Sequence, residues 1–214
     1  MKQELVPRIE TLSDGVFAIA ATLLVLDVRV PHLVPGQSTA ETWRALGETL
    51  PSVVAFGFSF LTILIYWLNH DSVTRALRHY PYRLKWLNLM FLLWISAIPF
   101  GTRFIAEYPF EPVSSIVYGS IMLMTALTAV TQYVYSAFWS DAMHASVDHA
   151  ARKRVLVRYM LGPLLYFAAI LCAFVDVRAS IAIYLGLPLL FFIPALQESG
   201  LGESEGGEQT ESGE

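Results

Sequence analysis

The stretch RIETLSDGVFAIAATLLVLDVRV, residues 8–30, decides how the chain is read. Its apolar run, Gly15 to Leu26, lies between two acids, Asp14 and Asp27. At ~1.5 Å per helical residue that run covers ~18 Å, well short of a ~30 Å hydrocarbon core. A helix that crosses a bilayer here carries an acid in with it, so Asp14 either handles an ion or holds the helix in place. On a helical projection with Ile19 at zero, Asp14 lies about 140° away and Ser13 about 120° away, whereas Leu12, Gly15, Leu23, Leu26 and Val30 fall within about 40°. The carboxylate therefore faces away from the aliphatic stripe. It is expected to pin the helix against its own subunit, with His70 or Asn88 as the donor at matching depth. The stripe Ile19, Leu23, Leu26 has i, i+4, i+7 spacing, which suits helix packing or lipid contact as well as a pore, and spacing alone favours the former. Thr22, about 60° off the stripe, either bonds back to a carbonyl one turn earlier or serves a pore.

Composition sets the surroundings. Of 214 residues, 55% are hydrophobic and 15% charged, and the mean hydropathy is +0.52, which is too apolar for a soluble domain of this length. The lone Cys172 lies in an apolar run, so no disulfide within the chain is possible and it reads as a packing residue. The formal net charge of -4 misleads, because Glu198, Glu203, Glu205, Glu208, Glu211 and Glu214 sit in a Gly/Ser-rich tail over 197–214 that is expected to be disordered. Residues 1–196 form the membrane domain. A cleaved signal peptide is not expected, since Glu4, Glu10 and Asp14 precede the first apolar run.

Six apolar stretches, roughly 8–30, 50–69, 84–105, 113–138, 155–175 and 179–196, predict an all-α polytopic membrane protein. Pro99, Pro163, Pro188 and Pro194 fall inside or at the ends of these spans, where kinks are expected instead of breaks. Arg and Lys set the orientation. Lys2, Arg8, Arg75, Arg78, Arg83, Lys85, Arg152, Lys153, Arg154 and Arg158 lie on one side, and only Arg29, Arg44, Arg103 and Arg178 on the other. Both termini are therefore expected in the cytoplasm, with the protein in the cell membrane. That topology brings Asp14, His70 and Asn88 into the same cytoplasmic-side third of the bilayer.

Other chemistry finds little support. HASVDH (144–149) spaces two His by five in a basic loop and fits no zinc pattern, and GxSxG, Walker A and GxGxxG are absent. No enzyme activity, cofactor, metal or nucleic-acid partner is expected. A proton-coupled secondary transporter with Asp14 and His70 as carriers is the stronger alternative to a channel, and a membrane scaffold comes third. No span carries Arg at every third position, so no voltage sensor is expected.

The first helix, together with IYWLNHDSVTRALRHY (65–80) and LKWLNLMFLLWISAIPF (84–100), resembles the endolysosomal potassium channel family and its bacterial six-helix members. There an Arg is followed after three residues by Phe-Ser-Asp and an Ala/Ile/Leu-rich helix, and Trp, Asn and His close helix 2. Two positions depart from that pattern: the motif Phe is Leu12, and Asp71 follows His70 where bacterial members often have a second His. The resemblance implies a homotetramer with four copies of helix 1 around a central pore in the lipid bilayer. Ile19, Leu23 and Leu26 would form its hydrophobic constriction and Thr22 its selectivity ring. Arg8, Ser13, Asp14, His70 and Asn88 would form the network anchoring that helix. Arg8 projects to the stripe side, so a bent first turn or a contact with a neighbouring subunit is needed to bring it in. The implied activity is a leak-like, weakly selective, potassium-permeable cation channel, since rings of aliphatic side chains block ions by dewetting and no carbonyl filter exists.

Overall fold

A computed structural model of the chain describes residues 5–33, 35–144 and 148–206, with side chains over 8–33, 35–144 and 148–191. Each long apolar stretch forms a helix, because in hydrocarbon only intrahelical bonding satisfies every backbone N–H and C=O. The order is α1 (Leu5–Leu23), α2 (Thr39–Gly47), α3 (Leu50–Arg75), α4 (Tyr82–Glu107), α5 (Pro112–Val134), α6 (His149–Ala173) and α7 (Val177–Gly206). Among the described residues five segments are long and apolar enough to cross a membrane, and α7 adds a shorter apolar stretch over Val177–Phe191. The expected disordered tail over 197–214 lies, for 207–214, outside the described residues, while the backbone of α7 is helical to Gly206.

The first span departs from the expected continuous helix over 8–30. After Leu23 it tightens into a 3₁₀ turn over Leu24–Asp27, and Val28 is extended. Pro31 ends the helix here, since its ring crowds the carbonyl of Asp27 and it has no N–H to donate, and the released end pairs with α4 through Asp27 and Arg29. Helix α2, which the hydropathy pattern missed, was legible in another signal. Ser38 and Glu41 form a reciprocal capping box, the S-x-x-E spacing of a helix start, and bonds from the Ser38 backbone and hydroxyl hold the Glu41 carboxyl below its usual range. Pro99 and Pro163 lie inside α4 and α6, both of which continue past them.

Helix α5 packs between α4 and α6, α7 closes against α6, and α1 lies on α3 and α4. Small residues let the backbones approach, as packing in lipid requires. Ala126, Ala129 and Ala169 are buried along α5 and α6. Gly119 is the tightest of these positions. A Cβ there would fall well inside contact distance of Tyr184 Oη and 2.7 Å from Ile170 Cγ1. Tyr184 Oη donates to the Ser115 carbonyl at 3.0 Å, so it cannot retreat without losing that bond. Gly119→Ala is expected to cost about 1–3 kcal/mol through overpacking, read as a lower thermal unfolding midpoint in detergent; an unchanged midpoint would show that α5, α6 and α7 reseat freely.

At one end of the bundle the α3/α4 loop clasps the α5/α6 loop. Arg78 N–H donates to Ala142 O at 2.7 Å and His144 N–H to Ala76 O at 3.0 Å, with Arg78 Nη2 donating to Asp141 O. The basic clusters over 75–85 and 152–158 flank these two loops and so lie toward one end of the bundle.

Candidate functional site: the first helix and its anchors

Helix α1 is two-faced. Ser13, Phe17, Ala20, Ala21 and Leu24 are buried, a run at i, i+4, i+7, i+8, i+11 that turns one side into the bundle. The opposite side is left bare by the chain's own fold. Ile19 is 60% exposed, Leu23 44% and Leu26 76%. The 3₁₀ turn also brings Leu26 into line above Leu23, since side chains three residues apart eclipse in that geometry. Thr22 is exposed on this side, and its hydroxyl donates to Ala18 O at 2.9 Å and Ile19 O at 3.0 Å. With its hydrogen turned back into the helix, the oxygen presents lone pairs outward, the polarity a cation needs.

The buried side ends in a polar knot. Ser13 Oγ donates to Ile9 O at 2.9 Å, so toward Asn88 it can only accept, and Asn88 Nδ2 donates to it at 3.0 Å. This fixes which way the carboxamide points. Its Oδ1 then accepts from Gln132 Nε2 at 3.1 Å and from His70 Nε2 at 2.8 Å, which requires the His70 hydrogen on Nε2. Gln132 also donates to Tyr80 Oη at 3.1 Å, and burial, against a smaller opposing effect of that bond, pushes the Tyr80 phenol up. Phe91 stacks on the His70 ring at 5.8 Å and 12°, with Phe17 of α1 tilted against it at 5.7 Å. Helices α1, α3, α4 and α5 meet here, and among the described residues no buried side-chain nitrogen or oxygen lacks a partner.

Asp14 takes a different donor from either expected one. Neither His70 nor Asn88 reaches it; Trp67 Nε1 donates to Asp14 Oδ1 at 2.9 Å. One turn of α3 thus serves both polar residues of α1, Trp67 holding Asp14 and His70 holding Ser13 through Asn88. Asp14 remains exposed while it makes this bond. Arg8 is exposed and makes no hydrogen bond or ion pair among the described residues. Asp71, the departure beside His70, is held by Arg75 one turn on, at 2.8 Å, and leaves the knot untouched. Trp67, Gln132 and Tyr80 were not assigned from the sequence. Trp67 stood in the quoted YWLNH, three residues from His70, whereas Gln132 is signalled only by being the one amide in an apolar span.

Comparison with known proteins bears on the first half of the chain and on the rest. The family described as endosomal/lysosomal potassium channel TMEM175 matches residues 8–99. The crystal structure of a lysosomal potassium-selective channel TMEM175 homolog from Chamaesiphon minutus superposes with a TM-score of 0.74 at 30% identity, over 89% of this chain and 98% of that one. The chain belongs to the TMEM175 family. A potassium channel of Streptomyces collinus is 35% identical over 189 residues, 86% of this chain and 90% of that one. A potassium channel of Chamaesiphon minutus is 32% identical over 190 residues, 86% of this chain and 92% of its own length. The similarity therefore runs through the later helices too, beyond the stretches up to residue 100 that carry the resemblance in sequence. The fold is that of an all-helical, multi-pass channel family.

Proposed function

We propose that four copies of this chain assemble around α1 as a potassium-permeable, weakly selective, leak-like cation channel of the cell membrane, with both termini in the cytoplasm. The observation that carries this reading is the division of α1: one face is buried and pinned at Ser13 and Asp14, and the aliphatic face is left uncovered by its own subunit. Relatives named potassium channels over nearly the whole chain support it. Rings of Ile19, Leu23 and Leu26 close the pore by dewetting, because a narrow apolar gap holds no continuous water and a bare cation there loses its hydration. Ser13, Asp14, His70 and Asn88 serve as the anchoring set within the subunit, joined by Trp67, and Arg8, bare in the single subunit, joins them through a contact with a neighbouring subunit. Potassium is the permeant species, the activity is permeation and not catalysis, and no cofactor enters it.

The test is a mass measurement of subunit number in detergent, paired with potassium efflux from vesicles containing the purified protein. A tetramer with efflux above protein-free vesicles supports the reading. A monomer has no axis for α1 to line and would overturn it.

Thr22→Val tests the selectivity ring. Losing a polar contact worth about 0.5–1.5 kcal/mol corresponds to about a two- to tenfold drop in potassium preference, read from reversal potentials in mixed potassium and sodium. An unaltered ratio would remove Thr22 from selectivity.

A further inference from the structure

The far end of α1 engages α4 in a two-point electrostatic register. Beyond the 3₁₀ turn the backbone is extended at Val28, so residues 27 and 29 stand about 6.6 Å apart on one side of the chain. Arg103 and Glu107 of α4 lie four residues apart, about 6 Å, on one helix face. The spacings match and the signs cross. Asp27 Oδ1 lies 3.6 Å from Arg103 Nη1, and Arg29 Nη2 lies 3.2 Å from Glu107 Oε1. The Arg29 backbone N–H also donates to Ser52 Oγ of α3 at 3.3 Å. A slip of one helical turn would set Asp27 against Glu107 or Arg29 against Arg103, like against like, so the pairs permit one register only. Leu26 immediately precedes Asp27.

We infer that these two ion pairs form a latch that holds Leu26 at its narrow setting, and that its release loosens the outer end of the pore. This rests on the channel reading above. The side chains keep solvent contact, Arg29 at 54%, Glu107 at 38%, Arg103 at 68% and Asp27 at 19%, along a cleft they share with Leu26 and His32. Pairs so exposed are weak and reopen readily, which makes the latch reversible. A constriction at its narrowest is displaced only outward, so release raises leak.

Charge exchange tests it. Potassium efflux is measured from vesicles containing wild type, Asp27→Arg, Arg103→Asp and the double exchange. Each single reversal is expected to raise efflux about two- to fivefold, the scale of an exposed pair, and the double exchange to return it toward wild type. Unchanged efflux in both singles, or a double variant no nearer wild type than the singles, would overturn the latch. So would effects of opposite sign in the two singles, because a mere change of charge at the mouth repels cations in one and attracts them in the other. Where a reversal fails to fold, Arg103→Gln replaces it with the same expected direction. Amide hydrogen exchange over residues 24–30 gives a readout independent of permeation, expected faster in the singles and restored in the double; no change there counts against the latch. Wild-type vesicles without efflux would instead refute the channel reading, and the exchange rates would still decide the latch.

Discussion

Ile19→Asn is expected to raise potassium leak by at least about tenfold, a change that needs only ~1.4 kcal/mol off the permeation barrier. Exchanging a branched aliphatic side chain for a carboxamide alters its preference for water by several kcal/mol, and a tetramer carries the exchange in four copies. Tenfold is therefore a floor. The substitution suits the test because Ile19 is 60% exposed in the subunit, so little of its environment within the chain is disturbed. Ile19→Leu, apolar and of equal size, is expected to stay near wild type. Efflux from vesicles is the readout, and an Ile19→Asn protein that leaks no faster than wild type would remove this residue from the gate.

Asn88→Ala is expected to destabilise the subunit by about 2–4 kcal/mol, from lost buried hydrogen bonds moderated by the alternative partners a chain finds within a bilayer. Asn88 bonds Ser13, His70 and Gln132 together. Ser13 keeps Ile9 and Gln132 keeps Tyr80, but the His70 Nε2 hydrogen loses its acceptor in a buried site. The readouts are the thermal midpoint and the assembled fraction in detergent. A variant as stable as wild type, with α1 still seated, would show that Phe17, Ala20, Ala21 and Leu24 hold the helix without the polar knot.

Several features follow from local pattern alone. Hydropathy marks the spans because a bilayer demands about 20 apolar residues per crossing whatever the neighbours do. The 100° projection separated Ile19, Leu23 and Leu26 from Ser13 and Asp14 because helix geometry fixes angles between residues of one element. The capping box at Ser38 and Glu41 was equally local, and was passed over because hydropathy does not register it.

What escaped was every choice between helices. Depth arithmetic brought Asp14, His70 and Asn88 to one level, yet the carboxylate found Trp67, and Ser13 took Asn88. Which donor reaches which acceptor depends on how neighbouring helices are rotated and tilted, and a shift of one residue turns a side chain by 100°. The end of α1 is another case. Pro31 bars a helix through Val30 and crowds the carbonyl of Asp27, but which charges on α4, some eighty residues away in sequence, receive the freed end was decided between helices.

The amino-acid order by itself determined that this chain crosses a membrane, how its segments alternate and which face of the first helix is aliphatic, because each depends on contacts with solvent or lipid or on geometry within one element. Tertiary structure alone decided which polar groups pair and which charges receive the end of the first helix. Those outcomes are set by the relative orientation of packed helices, and no periodicity within a single helix encodes it.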